Sequence, residues 1–199
     1  MNKYFGFYEL KTISIPTVPW RIFTRETELD SNLLWTVRVA LEDNSDLNLP
    51  RIVGSRSDEA VRMGNEFLDR FSSRGIVLFY PYFIAEKSGM LEISSDRTVI
   101  EAVDKDLWNL VTYGRKNITI ILSHKPNMEE CQYYGDSSFL CDNDICELKE
   151  YASIIKGRFR DELSEGKSIL AEWSYAYNTD IRHEPIGAKY LIFYELRSI

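Results

Sequence analysis

The sequence predicts an α+β protein, and three observations lead to this class. Residues 170–199 contain two apolar, aromatic runs on either side of a polar turn, which is the pattern of a β-hairpin. Residues 33–41 form a nearly continuous apolar run typical of a buried strand. Apolar residues recur at helical spacing over 57–74 and 143–165, which predicts two amphipathic helices. Hairpin strands beside separate helices indicate the α+β class.

Length and composition limit the class of protein. The chain has 199 residues and 44% hydrophobic content, enough for one large domain or two small lobes with a sizeable core. Its net charge of -7 argues against nucleic acid or an anionic membrane as the main partner. No run approaches the roughly 18 apolar residues of a membrane span. The opening MNKYFGFYELK lacks the features of a signal peptide, so we expect a cytoplasmic protein.

The first third of the chain predicts a helical turn and then a buried strand. Residues 6–20 combine an apolar segment with two prolines, which indicates a helical turn followed by an extended entry into the domain. The strand predicted over 33–41 carries Arg38, and a buried guanidinium requires an anionic partner. That partner is either an internal carboxylate, for instance Glu42 or Asp43, or a phosphate of a bound ligand.

The middle of the chain alternates helical and strand patterns. The helix over 57–74 is expected to have Ser57 as its N-cap. Residues 76–93 are interpreted as two strands joined by an EKSG turn, and Pro81 suggests an edge strand or a bulge. Residues 98–122 are interpreted as a strand, a polar break, a short helical or turn segment and another strand.

Residues 123–142 are polar and aromatic, and we interpret them as a loop. The segment and the helix after it contain His124, Cys131, Cys141 and Cys146, which together could supply four zinc ligands. Their spacing lacks the paired two-residue gaps of zinc knuckles. Free thiols, some of them buried, are the favoured interpretation.

The closing hairpin carries the charges most suggestive of chemistry. Its strands would place Glu172 at one end, with Glu195 and Arg197 at the other. Two carboxylates on facing strands suit a hard divalent cation that keeps several waters and bridges to phosphates. An arginine beside them would add bidentate phosphate contacts. The alternative is that these charges serve only solubility on exposed strands.

The patterns EWSYA and YLIFYELRSI resemble the end of the nucleotide-binding ATP-grasp domain of phosphoenolpyruvate synthase, pyruvate phosphate dikinase and rifampicin phosphotransferase. That domain closes on a Glu-Trp-Ala-like strand and a return strand that reads Leu-Tyr-Ile-Leu-Gln-x-Arg-Pro. Here Glu172 and Trp173 match the first strand. Glu195 stands where the family has Gln, and Arg197 matches its Arg.

Other segments resemble the same family in the same order, from about Gly6 to Ile199. The opening resembles the family's helix and Leu-Pro-Val-Pro strand, which puts Lys3 at the position of the phosphate-binding lysine. LLWTVRVAL resembles the Val-Arg-Ser-Ser-Ala strand, and PYFIAEKSGMLEI resembles the stretch that ends in Ala-Glu-x-Ser-Gly-Val. The triplet at 100–102 matches Ile-Glu-Ala, whereas DKDLWN replaces the glycines that follow it in the family.

The resemblance implies one ATP-grasp-like domain over 1–199, with a small lobe at roughly 30–95 and mainly antiparallel sheets. It implies ATP and Mg²⁺ as cofactors. The implied roles are Mg²⁺ binding by Glu172 and Glu195, catalytic phosphate contacts by Arg38 and Arg197, adenine contacts by Tyr82, Phe83 and Ile84, and further nucleotide contacts by Lys3 and Glu101.

The implied activity is ATP-dependent phosphoryl transfer to a small molecule or to a histidine on a separate partner protein. Two alternatives stay open: a degenerate, non-catalytic module that binds a nucleotide or a protein, and an unrelated α+β protein. One geometric condition separates the functional interpretation from that of an unrelated protein. The functional interpretation requires Arg38, Glu172, Glu195 and Arg197 to lie within one cleft.

Overall fold

A computed structural model describes residues 1–43, 49–124 and 131–199, except for the side chains of 111–113. Over these residues it contains five helices and two antiparallel sheets, which confirms the α+β class. The helices are α1 (Lys3–Thr12), α2 (Ser57–Phe71), α3 (Trp108–Tyr113), α4 (Asp142–Arg158) and α5 (Arg160–Ser164). The strands are β1 (Arg21–Ile22), β2 (Trp35–Leu41), β3 (Arg51–Ser55), β4 (Gly75–Pro81), β5 (Phe83–Ile93), β6 (Arg97–Asp104), β7 (Ile118–Ser123), β8 (Cys131–Gly135), β9 (Ile169–Thr179) and β10 (Pro185–Ser198).

The smaller sheet has four strands in the order β1-β4-β2-β3 and packs against α2. All seven residues of β2 are buried, as its apolar run predicted. Val37 and Val39 share a hydrophobic cluster with Phe67 of α2. Because side chains alternate along a strand, Arg38, which lies between these two valines, points to the opposite face of the sheet.

The larger sheet has six strands in the order β10-β9-β5-β6-β7-β8. The hairpin predicted over 170–199 is its β9–β10 pair. On one face, Leu91, Ile100 and Trp173 belong to a core that also includes residues of α4. The opposite face carries a row of directly paired residues across the strands, in the order Glu195, Glu172, Met90, Glu101. This polar face looks toward the smaller sheet.

The predicted EKSG turn is wrong, because β5 runs without interruption through those residues. The chain passes from one sheet to the other at Tyr82, between β4 and β5. The glycine of EKSG serves close packing instead. A Cβ on Gly89 would lie 2.0 Å from the carbonyl oxygen of Glu101 and 2.4 Å from the Trp173 ring. The strands of the smaller sheet lie within 21–81.

Two other boundaries differ from the predictions. Ser57 is the first helical residue of α2, and the N-cap is Arg56, which makes no side-chain capping bond. The helix predicted over 143–165 is divided into α4 and α5 by the non-helical backbone of Phe159.

The predicted loop at 123–142 contains a strand, β8, whereas 125–130 lie outside the described residues. Every residue of β8 is exposed, so the strand has no alternation of apolar and polar residues that could have revealed it. At the start of the chain, the expected helical turn is a helix of ten residues. Among the helices described, none combines the length and hydrophobicity that crossing a bilayer would require.

Candidate functional site

A cleft of about 430 Å³ lies between the two sheets. This volume falls within the range of roughly 300–1,000 Å³ that is usual for small-molecule sites. Residues of both sheets, of α1 and of the segment between β6 and α3 line it. Its basic residues are Lys3, Arg38, Arg51 and Lys105. Its acidic residues are Glu172, Glu195 and Asp106, so basic side chains outnumber acidic ones in a chain whose net charge is -7.

A three-residue ion cluster, formed by Lys3, Arg38 and Glu195, lies at the base of the cleft. The Nη2 of Arg38 donates to Oε2 of Glu195 over 2.8 Å, and the Nζ of Lys3 lies 2.8 Å from Oε1. The side chain of Glu195 is only 3% exposed. These contacts join α1, β2 and β10, three elements that are far apart in the sequence.

The partner of Arg38 is thus an internal carboxylate, but neither of the two considered from the sequence. Asp43 pairs with Arg74 instead, at 2.5 Å. Glu42 accepts a hydrogen bond from Asn2 through its backbone carbonyl. Both follow the end of β2, whereas Arg38 lies in the middle of that strand and faces β10.

A β-bulge explains why Glu195 faces the cleft. In β10, Phe193 pairs with Trp173, whose side chain packs in the core, and Glu195 pairs with Glu172 on the opposite face. The register shift falls at Tyr194, where β10 has one more residue than β9. In a regular strand without a bulge, residues two apart share a face, so Glu195 would lie on the same face as Phe193. The bulge turns its carboxylate away from the apolar core and toward Arg38.

Local structure also positions Lys3. It is the first residue of α1, whose N-cap Asn2 accepts a hydrogen bond from the backbone N–H of Phe5. Gly6, one turn later, lets the helix touch β10, since a Cβ there would lie 1.7 Å from the carbonyl oxygen of Leu196. The close approach of α1 to the strand brings the ammonium within reach of Glu195.

The pKa values of the two glutamates on the cleft floor are shifted in opposite directions. Burial raises the pKa of Glu172 to about 8, and the negative charge of Glu195 adds to the effect. Burial alone would also raise the pKa of Glu195, but Arg38 and Lys3 outweigh it and lower that pKa to about 2. At neutral pH, Glu195 is therefore ionised and Glu172 is mainly protonated. The floor then has an excess of positive charge.

The segment predicted to face adenine lies at the same cleft. Tyr82, Phe83 and Ile84 all line it. The rings of Tyr82 and Phe83 are nearly parallel, with an interplanar angle of 12° and centroids 6.5 Å apart. The backbone N–H of Tyr82 already donates to the carbonyl of Leu34 over 2.8 Å.

Two predicted site residues lie outside the cleft lining. The carboxylate of Glu101 binds the ammonium of Lys116 at 2.5 Å. The Nη1 of Arg197 lies 3.9 Å from Oε1 of Glu195, at the outer side of the ion cluster, and its side chain is 32% exposed. Arg38, Glu172 and Glu195 thus share the cleft, whereas Arg197 does not line it, so the geometric condition set from the sequence is met by three of its four residues.

Sequence reasoning missed a group of residues at the mouth of the cleft. Arg51 of β3 places its guanidinium carbon 4.6 Å from the centroid of the Trp108 ring on α3. Lys105 and Asp106, just before α3, line the same region. The sequence signal for this group is the DKDLWN segment, in which charged residues stand next to a tryptophan. We interpreted this segment as a polar break that replaces the family's glycines, and not as part of a site.

The described residues contain no cluster of three or more His, Cys, Asp or Glu side chains arranged to hold a metal ion. The zinc alternative thus gains no support. All three cysteines are free and exposed, so the expectation that some are buried is wrong.

No protein-family model matches the chain, and no curated protein shows significant similarity to it. The resemblance to the ATP-grasp domain therefore rests on the sequence motifs alone.

Proposed function

We propose that the cleft binds ATP with Mg²⁺, and that the chain is an ATP-grasp-type domain that transfers a phosphoryl group. The observation that carries this proposal is the meeting of Lys3, Arg38 and Glu195 beside Glu172 on the floor of one cleft. These are four residues to which the sequence motifs assign phosphate and metal contacts. They come from four separate elements, α1, β2, β9 and β10, and converge on a space of ligand size.

The charge of the floor suits the phosphate end of a nucleotide. Lys3 and Arg38 bring two positive charges against the single ionised carboxylate of Glu195. Arginine and lysine bind phosphate through charge-assisted hydrogen bonds. The aromatic side chains of Tyr82 and Phe83, on the segment that links the two sheets, offer an apolar surface for a base.

The residues fit Mg²⁺ that arrives with its nucleotide better than a resident ion. Magnesium commonly uses only one or two carboxylates, keeps waters and takes substrate phosphates as its other ligands. Glu172 and Glu195 are directly paired on neighbouring strands. A cation near them would relieve the repulsion that helps to raise the pKa of Glu172. Since Lys3 contacts Oε1 of Glu195, that lysine would have to exchange its carboxylate partner for a phosphate.

Phosphoryl transfer in such a site rests on positioning and charge neutralisation. Arg38 is held by Glu195 and would orient the phosphates, Lys3 would neutralise them, and Glu172 would lose its proton as the ion binds. The acceptor is a small molecule in the cleft or a histidine of a partner protein.

A second candidate is a module that binds the nucleotide without turnover. The ion cluster favours it, because both oxygens of Glu195 already lie 2.8 Å from basic nitrogens of Lys3 and Arg38. Ion pairs made within the protein can hold three elements together without any ligand.

Calorimetric titration of ATP, with and without Mg²⁺, tests the proposal. We expect wild-type protein to bind ATP more tightly with Mg²⁺, Glu172→Gln to lose that dependence, and Lys3→Met to weaken binding in both conditions. Lys11→Met is the matched control, because Lys11 lies on the same helix and packs over Trp20 outside the cleft. Absence of binding to wild-type protein would reject the nucleotide site. Binding without hydrolysis or transfer would favour the second candidate.

A further inference from the structure

A groove on the other face of the larger sheet lies apart from the cleft. Thr98 of β6 is on the face that carries Ile100, which packs in the core with α4, whereas the cleft floor is the opposite face. Two adjoining cavities of about 280 and 440 Å³ share Ser153 and Lys156 of α4. Together they are comparable in volume with ordinary ligand sites.

The described lining of this groove is basic and rich in hydroxyl groups. Lys149, Ser153 and Lys156 follow one another at spacings of four and three, so they lie on one stripe of α4. Arg160 adds a third positive charge where the groove continues. Hydroxyl groups come from Ser153 and from other residues of both cavities, and no acidic side chain is among the described lining residues.

The half-buried ammonium of Lys156 is the centre of the groove. Its Nζ lies 2.6 Å from Nδ1 of His124, and the carbonyl oxygen of Ser95 is a weaker acceptor at 3.5 Å. An ammonium has no lone pair to accept with, so Lys156 donates and Nδ1 of His124 carries no proton. The proton of this neutral imidazole is then on Nε2, which lies 3.0 Å from the hydroxyl of Thr98.

These contacts leave a cation in a partly desolvated place with neutral hydrogen-bond partners. Burial lowers the pKa of Lys156, and burial together with this ammonium lowers the pKa of His124. Among the described carboxylates, Asp96 is the one whose charge acts on both groups, and it already accepts a hydrogen bond from Ser94 at 2.7 Å. A desolvated cation is stabilised most by an anion that it can contact directly.

We infer that this groove binds the phosphate group of a small phosphomonoester at the ammonium of Lys156, with Lys149 and Arg160 adding positive charge on either side. A phosphate group can carry two negative charges and a carboxylate only one, so a phosphate ligand balances the positive charge of this groove better. Its oxygens can also accept from nearby hydroxyl groups. Leu122 and Ala152 supply apolar contacts for the organic part of the ligand. The site is independent of the proposed nucleotide cleft.

The two histidines of the chain give a site-specific measurement. His124 lies in the groove, whereas His183 packs against Tyr82, with ring centroids 5.8 Å apart. We expect inorganic phosphate, titrated at constant pH and ionic strength, to shift the imidazole NMR signal of His124 saturably. The signal of His183, which contacts Tyr82 of the cleft, reports separately on any phosphate that enters the nucleotide cleft. A shift equal to that produced by chloride would overturn the proposal.

Variants extend the test. Lys156→Met keeps an apolar side chain of similar length and should weaken phosphate binding about tenfold, the equivalent of about 1.4 kcal/mol. Lys149→Met changes an exposed residue and should weaken binding roughly threefold. Lys167→Met, at an exposed pair with Glu165 outside the groove, should have no effect. Equal affinity in wild type, Lys156→Met and Lys149→Met would reject the site.

Discussion

Replacement of Glu172 by Gln should stabilise the protein at alkaline pH and have little effect at acidic pH. The pKa of Glu172 is raised from 4.5 to about 8 in the folded state. Between these values the unfolded chain has lost the proton and the folded chain still holds it. The unfolded state therefore binds fewer protons, and the stability of wild-type protein falls as the pH rises through this window. A glutamine has no proton to lose.

The structure sets the size of this effect. One pKa unit corresponds to about 1.4 kcal/mol, so the full difference gives an upper limit of about 4–5 kcal/mol. The side chain is half-buried and faces the open cleft, where solvent screens its charge. We therefore expect Glu172→Gln to gain about 2 kcal/mol relative to wild type between pH 5 and pH 9.

Urea denaturation at pH 5, 7 and 9, without nucleotide or metal, measures the difference directly. Glu184→Gln is a matched control, because Glu184 is exposed in the turn of the same hairpin. Its effect gives the change that comes from removing an exposed carboxylate on the same hairpin. A difference between Glu172→Gln and wild type that stays constant, or that falls as the pH rises, would refute the electrostatic description of the cleft floor.

Two further predictions concern the contacts that build the site. Gly6→Ala should destabilise the protein by roughly 1–3 kcal/mol in urea denaturation, since its Cβ would collide with the carbonyl of Leu196. Gly157→Ala, where a Cβ meets nothing within 4 Å, should be neutral or stabilising by comparison. Arg38→Met should cost about 3 kcal/mol by the same measurement because it leaves the buried Glu195 with one partner fewer. The double variant with Glu195→Gln should recover part of that loss, and additive losses would contradict the buried ion cluster.

The parts of the fold predicted correctly are those with strong local patterns. The buried strand β2 and the strands of the closing hairpin contain long apolar runs, and the apolar residues of α2 recur at helical spacing. The edge strand β8 was missed because all its residues are exposed and it is held by pairing with β7 alone. The glycine at position 89 was taken for a turn, although it makes room for Trp173.

The candidate site was predicted in part for a similar reason. A buried Arg38 required an anion, and this follows from the solvation of charge alone. The identity of the anion depended on the bulge at Tyr194, which reverses the alternation of β10 and leaves no signature in a hydrophobic pattern. The contact between Arg51 and Trp108 joins two segments that only the assembled sheets bring together.

The packing of α1 against β10 affects the order in which the chain can fold. Gly6 touches Leu196, and Lys3 pairs with Glu195, so the helix made early in synthesis has its partner in a strand made much later. Such contacts close a very long loop before they contribute any stability, and topologies of this kind fold slowly. The cleft floor should therefore be among the last regions to form. A nascent chain would leave the apolar face of α1 exposed to chaperones until β10 emerges.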